Sequence, residues 1–154
     1  MSEKILIKNC YVVPMKEGSP PSKRYFKGEI AIEGSTIFDI GESIPLDTFK
    51  PDKIIDAEDM VALPGFINCH THAAMTLLRS YADFLPLREW LQEKIWPIEA
   101  KFTASDIYWG TKLAVLEMIK SGTTTFADMY SFMDEVAAVV EESGMRASLS
   151  RGMI

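Results

Sequence analysis

An α/β protein whose parallel strands follow a small all-β module is what three features of this 154-residue chain predict. Its opening stretch breaks into short runs rich in Ile, Val and Tyr, punctuated by Gly and Pro. From residue 63 onward, strand-like runs alternate with helical patterns, an order that yields parallel strands joined by right-handed crossovers. The chain's two histidines, His70 and His72, stand at the end of the first of those later strands. Two units are therefore expected: residues 1–62 as an antiparallel, sandwich-like module, and residues 63–154 as the parallel part.

Each element has its own signal. Residues 4–15 read as a strand with a turn or bulge at Asn9. Residues 16–27, with Gly18, Pro20 and Pro21, read as a loop. Residues 29–33 and 36–40 flank Glu33-Gly34-Ser35, a hairpin with Gly in its turn. Residues 53–56 and 60–63 are two more short strands, and a module this small leaves sheet edges that want partners. Residues 65–70 form a short apolar strand, and 87–95 a helix. Thr103 reads as an N-cap with Asp106 at the capping-box position. The helix it opens runs to Ser121, is closed by Gly122, and is apolar on most sides, so it is expected to be well buried. Residues 123–129 are a β-branched strand. Ser131 reads as the cap of a further helix with a stripe of Met133, Val136, Ala137 and Val140, closed by Gly144. Residues 146–153 are the last strand. A strand without its crossover helix is an unusual end for such a domain, so the chain is expected to be an N-terminal fragment, or the ordered part, of something longer.

Composition narrows the function. A hydrophobic share of 47% with 25% charged residues excludes a wholly disordered chain. A net charge of −6, a pI of about 4.9 and no basic patch argue against a nucleic-acid partner. Two cysteines, Cys10 and Cys69, are too few for a disulfide scaffold, and a reducing cytoplasm is the expected location. No apolar h-region opens the chain. Residues 61–78 carry no Asp, Glu, Lys or Arg, but they include Pro64, Gly65, Asn68, His70 and His72, which a bilayer would have to satisfy. The stretch reads as a buried strand and loop, and no membrane partner is expected.

The chemistry centres on His70-Thr71-His72. Strand side chains alternate, so both imidazoles point to one side, with Cys69 as a small core residue on the other. Two neutral nitrogen donors at the C-terminal end of a parallel strand suit Zn²⁺ or a similar divalent ion. Two histidines at this spacing also occur by chance; the preceding Pro64-Gly65-Phe66-Ile67-Asn68 places these on a strand.

That run, from Leu63 to His72, resembles the first-strand signature of the amidohydrolase superfamily. The continuation Ala73-Ala74-Met75-Thr76-Leu77-Leu78-Arg79, with Trp90-Leu91, Pro97-Ile98-Glu99 and Ser121-Gly122-Thr123-Thr124-Thr125, is similar to one branch of it. That branch holds 5-methylthioadenosine/S-adenosylhomocysteine deaminases and related chlorohydrolases. The resemblance implies a (β/α)₈, TIM-type barrel preceded by a composite β-sandwich. Such a barrel takes roughly 250 residues, so residues 63–154 would be its first three strands.

It further implies one divalent metal, above all zinc, with His70 and His72 as two ligands and the others downstream. Metal-activated water would attack C6 of an adenine, and a carboxylate general acid/base beyond residue 154 would protonate the departing ammonia. The chain alone would be inactive, because a catalytic zinc needs at least three ligands. Three residues match substrate contacts. Glu99 matches a glutamate that holds ribose hydroxyls, Trp90 an aromatic near the nucleoside, and Arg151 an arginine that meets the carboxylate of a homocysteine tail. Their plainer readings are a solvated loop carboxylate, a buried helix residue and a surface ion pair. Asp128, at a strand end, could support a metal ligand or cap a loop or helix, and Met75, Met118 and Met129 read as core filler.

The expected function is metal-dependent deamination of a small nucleoside-type thioether. Guanine or cytosine deamination, triazine chlorohydrolysis, or a non-catalytic interaction module are the alternatives. Half of a parallel barrel would expose apolar surface, so self-association into a homo-oligomer is a further expectation.

Overall fold

The computed structural model describes residues 2–16 and 24–152. Most of the expected loop at 16–27, with Gly18, Pro20 and Pro21, lies outside the described residues, as does Met153. The chain divides into two compact units, Met1–Pro64 and Gly65–Ile154.

In the first unit, β1 (Lys4–Val12), β2 (Phe26–Glu33), β3 (Thr36–Gly41), β4 (Lys53–Asp56) and β5 (Val61–Ala62) form one sheet. The expected hairpin is present: β2 and β3 pair antiparallel across Gly34, whose φ of +59° an L side chain rarely adopts. The sheet is nevertheless mixed, which corrects the antiparallel expectation. β2 pairs antiparallel with one edge of β1, while β4 and β5 both pair with β1 in parallel. The connection after β3 sends Ile44 and Phe49 into a core with Leu6 and Ala31. It thereby returns the chain alongside the start of β1, where β4 can only run parallel. Asn9 is the expected bulge: its φ is +64°, the β1–β2 register shifts between Ile7 and Cys10, and its Nδ2 donates to Asp56 Oδ1 at 2.9 Å.

In the second unit, β6 (Phe66–Thr71), β7 (Thr123–Tyr130) and β8 (Arg146–Arg151) form a parallel sheet in that order. A 3₁₀ helix (Ala73–Leu78), α1 (Leu87–Glu89), a π-helical turn (Trp90–Ile95), α2 (Trp96–Glu99) and α3 (Ala104–Lys120) connect β6 to β7, and α4 (Met133–Ser143) connects β7 to β8. This is the alternation the sequence predicts. The Pro-Gly before β6 has a steric reason. A Cβ on Gly65 would lie 2.2 Å from the Thr124 side chain, so only glycine lets the strand start so close to β7.

The helix expected at 87–95 carries on through Pro97. The i→i+5 turn falls just before a residue that has no N–H for the ordinary ladder. The capping box at α3 is as expected: Asp106 N donates to Thr103 Oγ1, and Asp106 Oδ2 accepts from Thr103 N at 2.8 Å. The expected burial of α3 is only half right. Ile107, Gly110, Thr111, Ala114 and Val115 are buried, whereas Trp109 (60% exposed), Leu113, Leu116 and Ile119 are exposed. β6 likewise is no buried strand: Phe66, Ile67 (67%) and Cys69 are exposed, so Cys69 is not a core residue. One helix face packs on the sheet, and no described element covers the other side.

The start of α4 also differs from expectation. β7 runs on to Tyr130, so the helix begins at Met133 after Phe132 in a left-handed turn, and Ser131 makes no cap bond. The buried stripe is Met133, Val136 and Val139, with Ala137 exposed.

Candidate functional site

The histidine pair sits where β6 ends. A register irregularity between Asn68 and Thr71 puts an extra β6 residue opposite β7, and the chain then turns into the 3₁₀ helix with His72 at its start. Rings bonded through nitrogen to one tetrahedral ion at about 2.0–2.1 Å have centroids roughly 5 Å apart. Those of His70 and His72 are 5.1 Å apart, at an interplanar angle of 76°. His72 Nδ1 donates to the Met129 carbonyl at 2.6 Å, which puts the ring proton on Nδ1 and leaves the Nε2 lone pair free.

β7 supplies the support. Asp128, only 3% exposed, accepts through Oδ1 from Thr71 Oγ1 at 2.8 Å and from Ala73 N at 3.0 Å, the residues on either side of His72. It therefore caps the 3₁₀ helix at Ala73 N and holds the residues that flank His72. Its Oδ2 is buried with no partner among the described residues. Met129 is not core filler: it is 42% exposed, and its carbonyl orients His72.

Glu99 is not a solvated loop carboxylate. It is half-buried at the end of α2, and Tyr130 Oη donates to its Oε1. The Tyr130 ring lies 6.0 Å from that of His72, so Glu99 and the histidines belong to one cluster. Burial, reinforced by Glu99, pushes the Tyr130 phenol well above its ordinary range, so it remains a proton donor.

Arg151 closes β8 directly beside Tyr130 in the β7–β8 register. Its guanidinium is 64% exposed and meets the exposed Asp134 at 3.8 Å, which is the plainer of its two readings as a contact. Trp90 is half-buried in the π-helical turn, and no hydrogen bond or ring pairing joins it to the histidines among the described residues. Sequence reasoning missed Tyr130 and the Met129 carbonyl. The available signal was their place at the C-terminal end of the strand next to the histidine strand.

Among the described residues no group of three or more His, Cys, Asp or Glu side chains could hold a metal, so the donors present are the two histidines. They fit a shared ion in separation and, for His72, in tautomer. No helix among the described residues is long and apolar enough to cross a membrane.

The strand-end histidine pair stands on a parallel β–α–β sheet, and residues 61–154, which carry it, match the amidohydrolase family. The chain belongs to that family. It is 62% identical over 152 residues to a protein of Pelotomaculum thermopropionicum named 5-methylthioadenosine/S-adenosylhomocysteine deaminase, covering 97% of this chain and 34% of that one. It is 54% identical to a 5′-deoxyadenosine deaminase of Methanococcoides burtonii, covering 97% and 33%. Its structure resembles the crystal structure of an adenosine deaminase from Xanthomonas campestris with bound zinc. There the TM-score is 0.81 and the identity 36%, covering 93% of this chain and 32% of that one. The chain thus spans about a third of the length of the relatives it matches, which accords with the expectation that it is part of something longer.

Proposed function

We propose that this chain forms the first part of a metal-dependent aminohydrolase that deaminates adenosine-type thioethers, 5-methylthioadenosine and S-adenosylhomocysteine. The observation that carries the reading is the single cluster at the ends of β6 and β7, where two histidines meet a half-buried carboxylate through Tyr130. The names and high identities of the relatives support the substrate class.

His70 and His72 would hold the ion, zinc being the expected one, together with donors from elsewhere in the complete protein. Bound there, a divalent ion supplies a water acidic enough to act near neutral pH. His72 presents Nε2 because its Nδ1–H donates to the Met129 carbonyl. Glu99 keeps Oε2 available to accept from a sugar hydroxyl, and Arg151 offers a planar fork to a carboxylate tail. The 3₁₀ helix, braced by Asp128 at Ala73 N, keeps His72 in place.

The test is ammonia release by the full-length protein, zinc-loaded, from 5-methylthioadenosine, S-adenosylhomocysteine, adenosine, adenine and guanine. Turnover of the thioethers above the bare bases is expected. Turnover of bare bases without nucleosides would overturn the reading in favour of a base deaminase, and no turnover of any would overturn it in favour of a non-catalytic role.

A further inference from the structure

Tyr130 joins the two ends of the cluster, and it carries no chemical task in the proposed binding or turnover. Its hydroxyl donates to Glu99 Oε1, its ring lies 6.0 Å from that of His72, and it is backbone neighbour to Arg151 across β7 and β8. Glu99 ends a short α2 that follows a π-helical turn. Among the described residues the phenol is the only side chain hydrogen-bonded to its carboxylate. A carboxylate offers about four lone-pair directions over two oxygens. With Oε1 anchored by Tyr130, Oε2 is left without a partner among the described residues.

We propose that Tyr130 is a specificity-positioning residue: by holding Glu99 Oε1 it aims Oε2 at a vicinal sugar diol and fixes that diol's distance from His72. The inference rests on the deaminase reading and deepens it, assigning sugar recognition to a β7 side chain acting through Glu99. Ligands that carry a cis-diol gain from Tyr130, and ligands that lack it do not.

The experiment compares the unsubstituted full-length protein with Tyr130→Phe, Glu99→Gln and the double variant, using adenosine and 2′,3′-dideoxyadenosine. Affinity is read by calorimetry, KM and kcat by ammonia release. Tyr130→Phe removes one oxygen and keeps the ring against His72. A hydrogen bond to a charged group being lost, KM and Kd for adenosine should rise roughly tenfold, with kcat within about twofold and the dideoxy ligand unchanged. In the Glu99→Gln background, Tyr130→Phe should add nothing further. An equal loss for both ligands, or full additivity of the two substitutions, would overturn the proposal and leave Tyr130 a packing residue. If the unsubstituted protein binds neither nucleoside, the deaminase reading fails and this inference with it. If it prefers adenosine and Tyr130→Phe leaves that preference intact, this inference alone fails.

Discussion

The histidine at position 72 is held on both sides of its own backbone and through its ring. Asp128 grips Thr71 and Ala73, and the Met129 carbonyl accepts a hydrogen bond from Nδ1–H. Supporting groups of this kind typically change metal affinity 10- to 100-fold when removed. Asp128→Ala in the full-length protein should therefore weaken zinc binding by about that factor, measured by competition with a chromophoric chelator. Asp128→Asn, which keeps an acceptor oxygen, should lose less, and equal losses would mean that acceptance by Oδ1 is not what supports His72. At Arg151 the prediction follows from substrate chemistry. S-adenosylhomocysteine carries a carboxylate tail and 5-methylthioadenosine does not. Replacing the guanidinium by Met should raise KM for the former by roughly 10- to 100-fold, the worth of a charge-assisted pair, and leave the latter near its original value. A parallel rise for both would return Arg151 to its ion pair with Asp134.

At the scale of the element, α3 owes its start to the Thr103–Asp106 box and its position to a missing side chain. Hydrogen bonds from the Thr103 hydroxyl and then from its N–H hold the Asp106 carboxyl below its ordinary 3.8. A group whose folded value is depressed stabilises fully above its unfolded value and loses that contribution as pH falls through the folded one. Asp106→Asn should thus lower the unfolding midpoint at neutral pH, with the two proteins converging in acid below the carboxylate range. A constant gap at every pH would count against the box. Gly110 faces the 3₁₀ helix, where an added Cβ would lie 2.6 Å from Ala74 O, a backbone atom. Helix propensity favours Ala over Gly by about 1 kcal/mol, but overpacking against backbone costs about 1–3 kcal/mol. Gly110→Ala should therefore destabilise the chain in urea unfolding, where propensity alone would stabilise it.

At the scale of the whole molecule, the outer face of α3 and both faces of β6 present Trp109, Leu116, Ile119, Phe66 and Ile67 to solvent. Exposed apolar surface of this amount favours association. Two histidine donors without a third among the described residues hold zinc weakly. The chain studied alone should show concentration-dependent species in sedimentation velocity and lose zinc to a mild chelator, without deaminating adenosine. A monodisperse monomer at every concentration would contradict the exposure seen on α3 and β6.

Much of this was legible in the sequence because its causes are local. A Thr with Asp three residues on closes a capping box with its own backbone, Gly34, Gly122 and Gly144 take left-handed turns that favour glycine, and strand–helix alternation dictates parallel pairing. His70-Thr71-His72 after a Pro-Gly announced the donor pair for the same reason. What the tertiary structure alone decided involves contacts between distant positions. β4 and β5 joined β1 in parallel because a buried Ile44 and Phe49 routed the chain there, α3 exposed one apolar face because nothing described packs on it, and Ser131 lost its cap because β7 ran one residue further. The same holds at the site. A phenol 31 residues from Glu99 and a carbonyl 57 residues from His72 become neighbours only when β7 lies beside β6 and the end of α2 reaches the end of β7. No local period or spacing encodes a distance set by the packing of the sheet.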